Sequence, residues 1–433
     1  MPLEYSAGSF QWSSADTAGT TKVVSDLAFQ PKAMKFWTNG QNGPNASANG
    51  WYSWSMGFAN SASYRMCITS FAANNSASSA GTREANTSAI ITINNNSTTQ
   101  DGGLDLSAVS STGFTAIVRN QVANTVTVHW EAWGGSDIAN VTVGMIVAPV
   151  AVGTTTLDAD GFTNSGAITD QCIMFAGNQA AANNTVTAEN PGVFIGYATA
   201  AGQSGNSHQI MAGTSVDHAS ATMDTDGWGS SDDVIGRVAL AGAATLESRA
   251  NVESFGTNQF TIRWNAAAGI ASRTIYMAIK GGSWTAGEYL HNGSSAANTV
   301  SITGFPMELK GVEFITAART KNALNAATAN ATLSYGYANS TTGRACISIH
   351  DRDATAESWC RNTMNTDAIL SYSRSPNVLQ RFDLNSLNSG GNNFQTIVDA
   401  VGQGVASQWI GYLAFGDSVP TPTSVGYSYG FIF

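Results

Sequence analysis

The residues suited to acid–base or metal chemistry are few in this chain and lie far apart. The densest group is His350–Asp353, which could form a metal or acid–base site. A strand-end turn with aspartate and arginine paired at the surface explains the same residues and is the preferred interpretation. Segments 158–161 and 224–227 resemble fragments of calcium loops, but both lack the remaining oxygen ligands and the distal glutamate. Asx turns are therefore expected at both places.

Motifs for nucleophilic, metal or phosphate chemistry are missing from the sequence. There is no zinc-binding histidine pair, nucleophile elbow, phosphate-binding loop or dinucleotide-binding glycine pattern. The four cysteines, at positions 67, 172, 346 and 360, form no CxxC pair and are expected to be buried free thiols. The sequence therefore predicts no catalytic residue, no metal ligand and no cofactor, in a protein that is not an enzyme.

Tryptophans are the candidates for ligand binding. Trp51, Trp54 and Trp133 would suit stacking against a sugar ring if their faces were exposed. Burial in the core or in a subunit contact is the alternative, and it is the more frequent use of tryptophan. The sequence leaves both interpretations open.

The last eight residues form an aromatic tail, in which aromatics alternate with small or aliphatic residues. The aromatics are Tyr427, Tyr429, Phe431 and Phe433. On a strand all four would share one face, and that face would be an aggregation hazard if left in water. A proline-containing linker, Val419–Thr423, precedes them. We predict that the tail docks on a neighbouring subunit by strand addition; folding back onto its own third repeat is the alternative.

The composition favours strands over helices. Charged residues are only 11% of the 433, and alanine, serine, threonine, asparagine and glycine take their place. This mixture is poor in helix formers and suits strands joined by Gly- and Asn-rich turns. Because charge is sparse and aromatics are frequent, we expect a homo-oligomer.

Charge and hydropathy exclude several partners. The net charge is −10 and no basic run could follow a phosphate backbone, so nucleic acid is not an expected partner. No run of about 18 apolar residues occurs, which predicts no membrane span. Neither a basic start nor an apolar segment marks a signal peptide, so synthesis in a cytoplasm is expected.

Two landmarks recur three times in the same order. The first is an extended segment that contains Phe36, Phe175 or Phe314, spaced 139 residues apart both times. The second is a Gly-aromatic-Ala strand whose glycines are Gly57, Gly196 and Gly336, spaced 139 and 140 residues apart. This spacing predicts three diverged copies of one unit, while a single large β domain with repeated turns is the alternative.

A third landmark closes each copy and sets the predicted boundaries. It comprises Val126–Pro149, Phe260–Gly282 and Asn393–Asp417, with alanines 139, 271 and 406 aligned. Alternating apolar and polar residues within it indicate strands. The prediction is an all-β chain of three tandem antiparallel β-sandwich or jelly-roll-like repeats, at 1–153, 154–282 and 283–418, with an extended tail at 419–433.

These landmarks resemble a motif set of tailed-bacteriophage virion proteins. The matching segments are FQPKAMKFW at Phe29–Trp37, SMGFANS at Ser55–Ser61 and FTIRW with RTIYMAIKGG within Phe260–Gly282. The resemblance implies a structural component of the tail or capsid surface, such as a decoration protein. It would be made in the host cytoplasm, reside in the virion, and have itself and other virion proteins as partners.

The closing landmark is also similar to the small β-sandwich of H-type lectins. That resemblance implies an alternative function, as a carbohydrate-binding adhesin or receptor-binding protein in host attachment. Its partner would be a glycan on the host surface.

Overall fold

The computed structural model describes most of the chain. The described residues are 2–43, 47–49, 51–73, 81–95, 97–164, 169–188, 191–200, 208–217, 224–238, 246–292, 295–318, 331–351, 360–375, 378–402 and 408–418. None of them is helical, so this part of the chain has no helix long and apolar enough to cross a membrane. The aromatic tail, with Tyr427, Tyr429, Phe431 and Phe433, lies outside the described residues.

The described strands fall into three groups in chain order. The first group is β1 (Glu4–Trp12), β2 (Thr21–Val24), β3 (Pro31–Thr38), β4 (Ser47–Asn49), β5 (Trp51–Ala59), β6 (Arg65–Ala73), β7 (Gly81–Asn86), β8 (Ile91–Asn94), β9 (Gln100–Ser110), β10 (Gly113–Asn120) and β11 (Val126–Gly134). The second is β12 (Asn140–Val147), β13 (Gly153–Asp158), β14 (Gln171–Asn178), β15 (Thr187–Ala188), β16 (Gly192–Thr199), β17 (Gln209–Asp217), β18 (Asp224–Ser230), β19 (Ile235–Val238), β20 (Leu246–Gly256), β21 (Gln259–Ala266) and β22 (Arg273–Lys280). The third is β23 (Ser283–His291), β24 (Thr299–Thr303), β25 (Met307–Thr316), β26 (Ala331–Ala338), β27 (Arg344–Asp351), β28 (Arg361–Asn365), β29 (Leu370–Ser375), β30 (Val378–Leu387), β31 (Asn393–Ala400) and β32 (Gln408–Ser418).

Each group makes one large and one four-stranded antiparallel sheet in the same strand order. The large sheets run β1-β11-β3-β5-β6-β7, β12-β22-β14-β16-β17-β18 and β23-β32-β25-β26-β27-β28. The small sheets run β2-β10-β9-β8, β13-β21-β20-β19 and β24-β31-β30-β29. The chain is therefore all-β and consists of three tandem antiparallel sandwich repeats, as predicted.

The second repeat begins earlier than the sequence indicated. Strand β12 lies before the predicted boundary at 153, yet it pairs along its whole length with β22. It is thus the opening strand of the second large sheet, although the third landmark treated it as the closing strand of the first. Apolar and polar residues alternate in the same way in an opening strand and in a closing strand, so this pattern could not distinguish the two. In the first repeat β10 and β11 take the places of β21 and β22.

The recurrent phenylalanines pack across each sandwich. Phe36, Phe175 and Phe314 are fully buried, each in the core of its own repeat. Each meets a phenylalanine of the small sheet edge-to-face, in the pairs Phe36–Phe114 (5.3 Å), Phe175–Phe260 (6.1 Å) and Phe314–Phe394 (5.6 Å). A third ring follows in every copy, giving Phe114–Trp130 (5.5 Å), Phe260–Tyr276 (5.2 Å) and Phe394–Tyr412 (5.2 Å). The same aromatic trio therefore holds all three sandwiches closed.

The recurrent glycines allow one backbone to cross another. Gly57, Gly196 and Gly336 lie directly opposite the recurrent phenylalanines in the large sheets. A Cβ at any of them would collide with a backbone carbonyl oxygen, that of Ile90, Val234 or Ile369 respectively. Each of these residues directly precedes an edge strand of the small sheet, β8, β19 or β29. Only glycine leaves room for this approach. The second landmark thus marks the corner where the chain passes from one sheet to the other.

Four hydrophobic clusters form the interior. Three of them belong to single sandwiches, whereas the fourth contains residues from all three large sheets. Each large sheet therefore has two buried faces, one toward its own small sheet and one toward this shared central core. The four cysteines are buried and form no disulfide, and Cys67 and Cys346 lie opposite the equivalent glycines Gly57 and Gly336.

Neighbouring repeats also exchange short strands. Strand β4 of the first repeat pairs with β28 of the third, and β15 of the second pairs with β7 of the first. Equivalent asparagines begin both connections. Asn39 donates to the Thr363 carbonyl (2.7 Å), and Asn178 donates to the Thr69 and Glu84 carbonyls (2.9 and 2.7 Å). The third repeat has Ala317 at this position, so its connection to the second repeat lacks the amide.

Replacing the corner glycine tests the crossing. Gly57→Ala should lower the free energy of unfolding by about 2–3 kcal/mol, because the carbonyl group of Ile90 must move. Gly269→Ala is the matched control, since a Cβ there meets nothing within 4 Å. Urea unfolding of both variants gives the comparison, and equal stability of the two would contradict the close approach.

Candidate functional site

Charged residues meet in the central core, at a place hereafter called the hub. Lys35, Met174 and Glu313 occupy equivalent positions, one residue before each recurrent phenylalanine, and all are fully buried. Since neighbouring residues on a strand point to opposite faces, a phenylalanine that faces its own sandwich places the preceding residue in the central core. The ammonium group of Lys35 forms an ion pair with Glu313 of the third repeat. It also donates to the Tyr335 hydroxyl at 3.2 Å.

A second carboxyl group completes the hub. Glu131 on β11 lies directly opposite Lys35 on β3. It accepts hydrogen bonds from the Tyr5 hydroxyl (2.9 Å), from the Trp37 indole (3.1 Å) and from the Tyr335 hydroxyl. Because Tyr335 belongs to the third repeat, this contact also joins the first and third repeats.

The second repeat contributes a tyrosine to the hub. The Tyr197 hydroxyl donates to Glu313 at 2.5 Å. Its ring also lies 5.4 Å from the Lys35 ammonium nitrogen, within the range of a cation–π interaction. Every repeat therefore supplies a polar side chain to the same sealed network.

The hub holds two carboxyl groups and a single ammonium group. Burial, and after it the negative charge of Glu313, raise the pKa of Glu131, while the positive charge of Lys35 and the hydrogen bonds from Tyr335 and Tyr5 lower it. The net result is a pKa of about 7, above the ordinary value of 4.5. Near neutral pH Glu131 is therefore partly protonated, and the Lys35–Glu313 pair carries opposite, balancing charges. These groups are sealed from solvent, so the arrangement serves to join the repeats and cannot act on a dissolved substrate.

Two of the three candidate sugar-stacking tryptophans are unsuitable for that role. Trp54 and Trp133 are fully buried in the central core, where Trp133 packs against Trp284 (6.2 Å) and Phe415 (5.7 Å). A sugar cannot reach either ring, so the alternative interpretation as core residues is correct for both. Trp51 differs, because it is only half-buried.

Trp51 lines a cavity at the open end of the first sandwich, hereafter called the mouth. The cavity has a volume of about 290 Å³ and lies between β5 and β6 of the large sheet and the end of β8 in the small sheet. Its lining includes Trp51, Ser53, Phe71, Asn94 and Asp101. An aromatic ring and several polar groups therefore meet at one accessible place.

The predicted charged turn at His350–Asp353 is partly buried. His350 and Asp351 lie at the end of β27 and have almost no exposed surface, which corrects the expectation of a solvated turn. The Nδ1 atom of His350 lies 2.8 Å from the Thr332 hydroxyl. Arg352 and Asp353 lie outside the described residues. Across the described ranges, no group of three or more His, Cys, Asp or Glu side chains could hold a metal ion.

Sequence reasoning did not identify the hub. Alternation along β3 places Lys35 and Phe36 on opposite faces, and this pattern was available. The alternation does not show, however, that the face carrying Lys35 packs against the other repeats. The sequence contains one indication of the ion pair. A lysine precedes the landmark phenylalanine of the first copy and a glutamate that of the third, whereas the second copy has methionine there.

No protein-family model matches the chain, and no match was found among curated proteins.

Titration of Glu131 should make stability depend on pH. Its folded-state pKa lies above the ordinary value of 4.5, so the stability contributed by the neutral acid is fully present below about pH 4.5 and is lost as the pH rises through about 7. Glu131→Gln cannot ionise. Between pH 5 and 8 this variant should gain on the order of 2 kcal/mol relative to the natural protein.

Urea unfolding at several pH values measures this gain. Glu308→Gln is the control, because Glu308 is exposed on β25. A stability difference between the Glu131 variant and the natural protein that stays constant with pH would contradict the assignment.

Proposed function

We propose that this chain is a structural protein of a tailed-bacteriophage virion, a tail or capsid-surface component that associates with itself and with other virion proteins. The proposal starts from the resemblance of the three landmarks to motifs of such proteins. The packing of three sandwiches around one sealed core also supports this proposal.

That closure suits a permanent building block. The hub joins side chains of all three repeats, and strands β4 and β15 pair across repeat boundaries. One polypeptide thus contains contacts of the kind that usually hold separate subunits together. When the three repeats are fixed in this way, the relative positions of their outer surfaces stay constant. A repeating assembly requires such constant positions.

The surface of the second repeat supports contact with further chains. Val147, Val150 and Val152 lie within six residues of one another and are 50%, 68% and 66% exposed. Large apolar side chains that cluster on a surface often mark interaction sites. The composition points the same way, because only 11% of the residues carry charge.

Removal of the tail tests self-association. Deletion of residues 419–433 leaves β32, which ends at Ser418, intact. If the tail connects subunits, the shortened chain should keep its β-sheet circular dichroism spectrum and thermal midpoint but remain monomeric in light scattering. A full-length variant with serine at positions 427, 429, 431 and 433 should behave in the same way.

Three outcomes would count against parts of this proposal. Normal assembly of the shortened chain would refute the connector, and failure to fold would assign the tail to its own third repeat. A full-length chain that stays monomeric at micromolar concentration would refute the structural role itself. Antibodies against the chain should also label purified phage particles in electron micrographs.

A further inference from the structure

We propose that the mouth of the first sandwich binds a neutral pyranose sugar. The side chains that line this cavity point to such a ligand whether or not the chain belongs to a virion. Binding and assembly are read out in separate experiments, so either one can fail without the other.

Trp51 provides a platform for one face of a ring. Its indole lies over Gly40, whose φ of +73° belongs to the left-handed region that favours glycine. A Cβ at Gly40 would come within 2.7 Å of the indole, so the missing side chain allows this ring position. Phe71 also lines the cavity, and the two aromatic side chains give it an apolar wall. The C–H face of a pyranose is a suitable partner for such a surface.

Two buried polar side chains of the mouth lack partners. The Ser53 hydroxyl and both polar atoms of the Asn94 amide make no hydrogen bond, although both side chains are about 99% buried. Leaving such groups unsatisfied costs about 1–3 kcal/mol each. Their neighbours along the same faces are satisfied: Ser55 and Thr92 both bond to Thr69. Unused hydrogen-bonding capacity therefore remains in the wall of the mouth.

The chemistry of the lining narrows the ligand class. Among the described residues that line the cavity, Asp101 is the only charged one and none is a lysine or an arginine, so phosphates and carboxylates are disfavoured as ligands. A purely apolar ligand would leave Ser53 and Asn94 without partners. A neutral ring with hydroxyl groups on its edge and C–H groups on its face satisfies both conditions. The volume of about 290 Å³ limits the occupant to one or two sugar rings.

The other repeats do not repeat this arrangement. In the second repeat Phe194 takes the position of Ser55, and its ring lies against Gly177, which is equivalent to Thr38. In the third repeat Thr332 and His350 take the positions of Ser53 and Phe71 and contact each other at 2.8 Å. Within the described ranges, the combination of Trp51 with unpartnered Ser53 and Asn94 belongs to the first repeat alone.

The experiment uses the full chain and methyl pyranosides of glucose, galactose, mannose and N-acetylglucosamine. Saturation-transfer NMR should detect at least one of them, with a dissociation constant on the order of 1 mM for so small a ligand. Trp51→Ala should weaken binding at least about tenfold, and Trp51→Phe should restore part of it, because a smaller platform remains. Thermal midpoints establish that each variant is folded.

Tyr64→Ala is the matched control. Tyr64 is 60% exposed and does not line the mouth, so its replacement should leave binding unchanged. Absence of binding to all four sugars, or binding that survives Trp51→Ala, would overturn the proposal. p-Cresol mimics the side chain of tyrosine. If p-cresol binds and the sugars do not, the mouth is a site for an aromatic side chain, and the proposal is overturned.

Discussion

A buried charge is costly unless an opposite charge meets it, and the central core contains such a pair. Removing one partner of a buried ion pair leaves an uncompensated charge and costs about 3–5 kcal/mol. Lys35 lies in the first repeat and Glu313 in the last, 278 residues apart in the chain. Neither residue can be accommodated without the other, so a stable fold requires the last repeat to close against the first.

The three copies have diverged at this position in a way that fixes their arrangement. A symmetric trimer of one repeat would carry the same residue at all three equivalent places. Here the places hold Lys35, Met174 and Glu313, and the cross-strand partners Glu131, Met277 and Leu413 differ as well. Only one pair of copies can form the ion pair, which specifies contacts that hydrophobic burial alone would leave interchangeable. The exchanged strands also make the contacts between repeats unequal. Asn39 and Asn178 hold two of the connections, and the equivalent residue Ala317 has no amide.

Local patterns in the sequence predicted the repeated parts of the fold. The recurrent phenylalanines and glycines lie where their spacing placed them, because each takes part in a contact inside one repeat. Features that depend on neighbouring repeats were not predicted. The role of β12 depends on its pairing with β22, and the environment of Lys35 depends on two other sheets.

The tryptophans illustrate the same limit. Trp51 and Trp54 are three residues apart on one strand and therefore face opposite sides of it. Trp54 enters the central core, while Trp51 reaches the open end of the sandwich. Composition gave no means to decide which side was accessible, since both sides of the large sheet are buried over most of its area.

A double-mutant cycle on Lys35 and Glu313 tests most directly whether the buried pair locks the repeats together. Lys35→Met, Glu313→Met and the double variant would be compared by urea unfolding, with methionine chosen because Met174 already occupies the third equivalent position. Each single substitution should cost about 3–5 kcal/mol, and the double variant, with methionine at all three places, should lose much less than their sum. Losses that add to within about 0.5 kcal/mol would show that the two charges are independent, and would contradict the account.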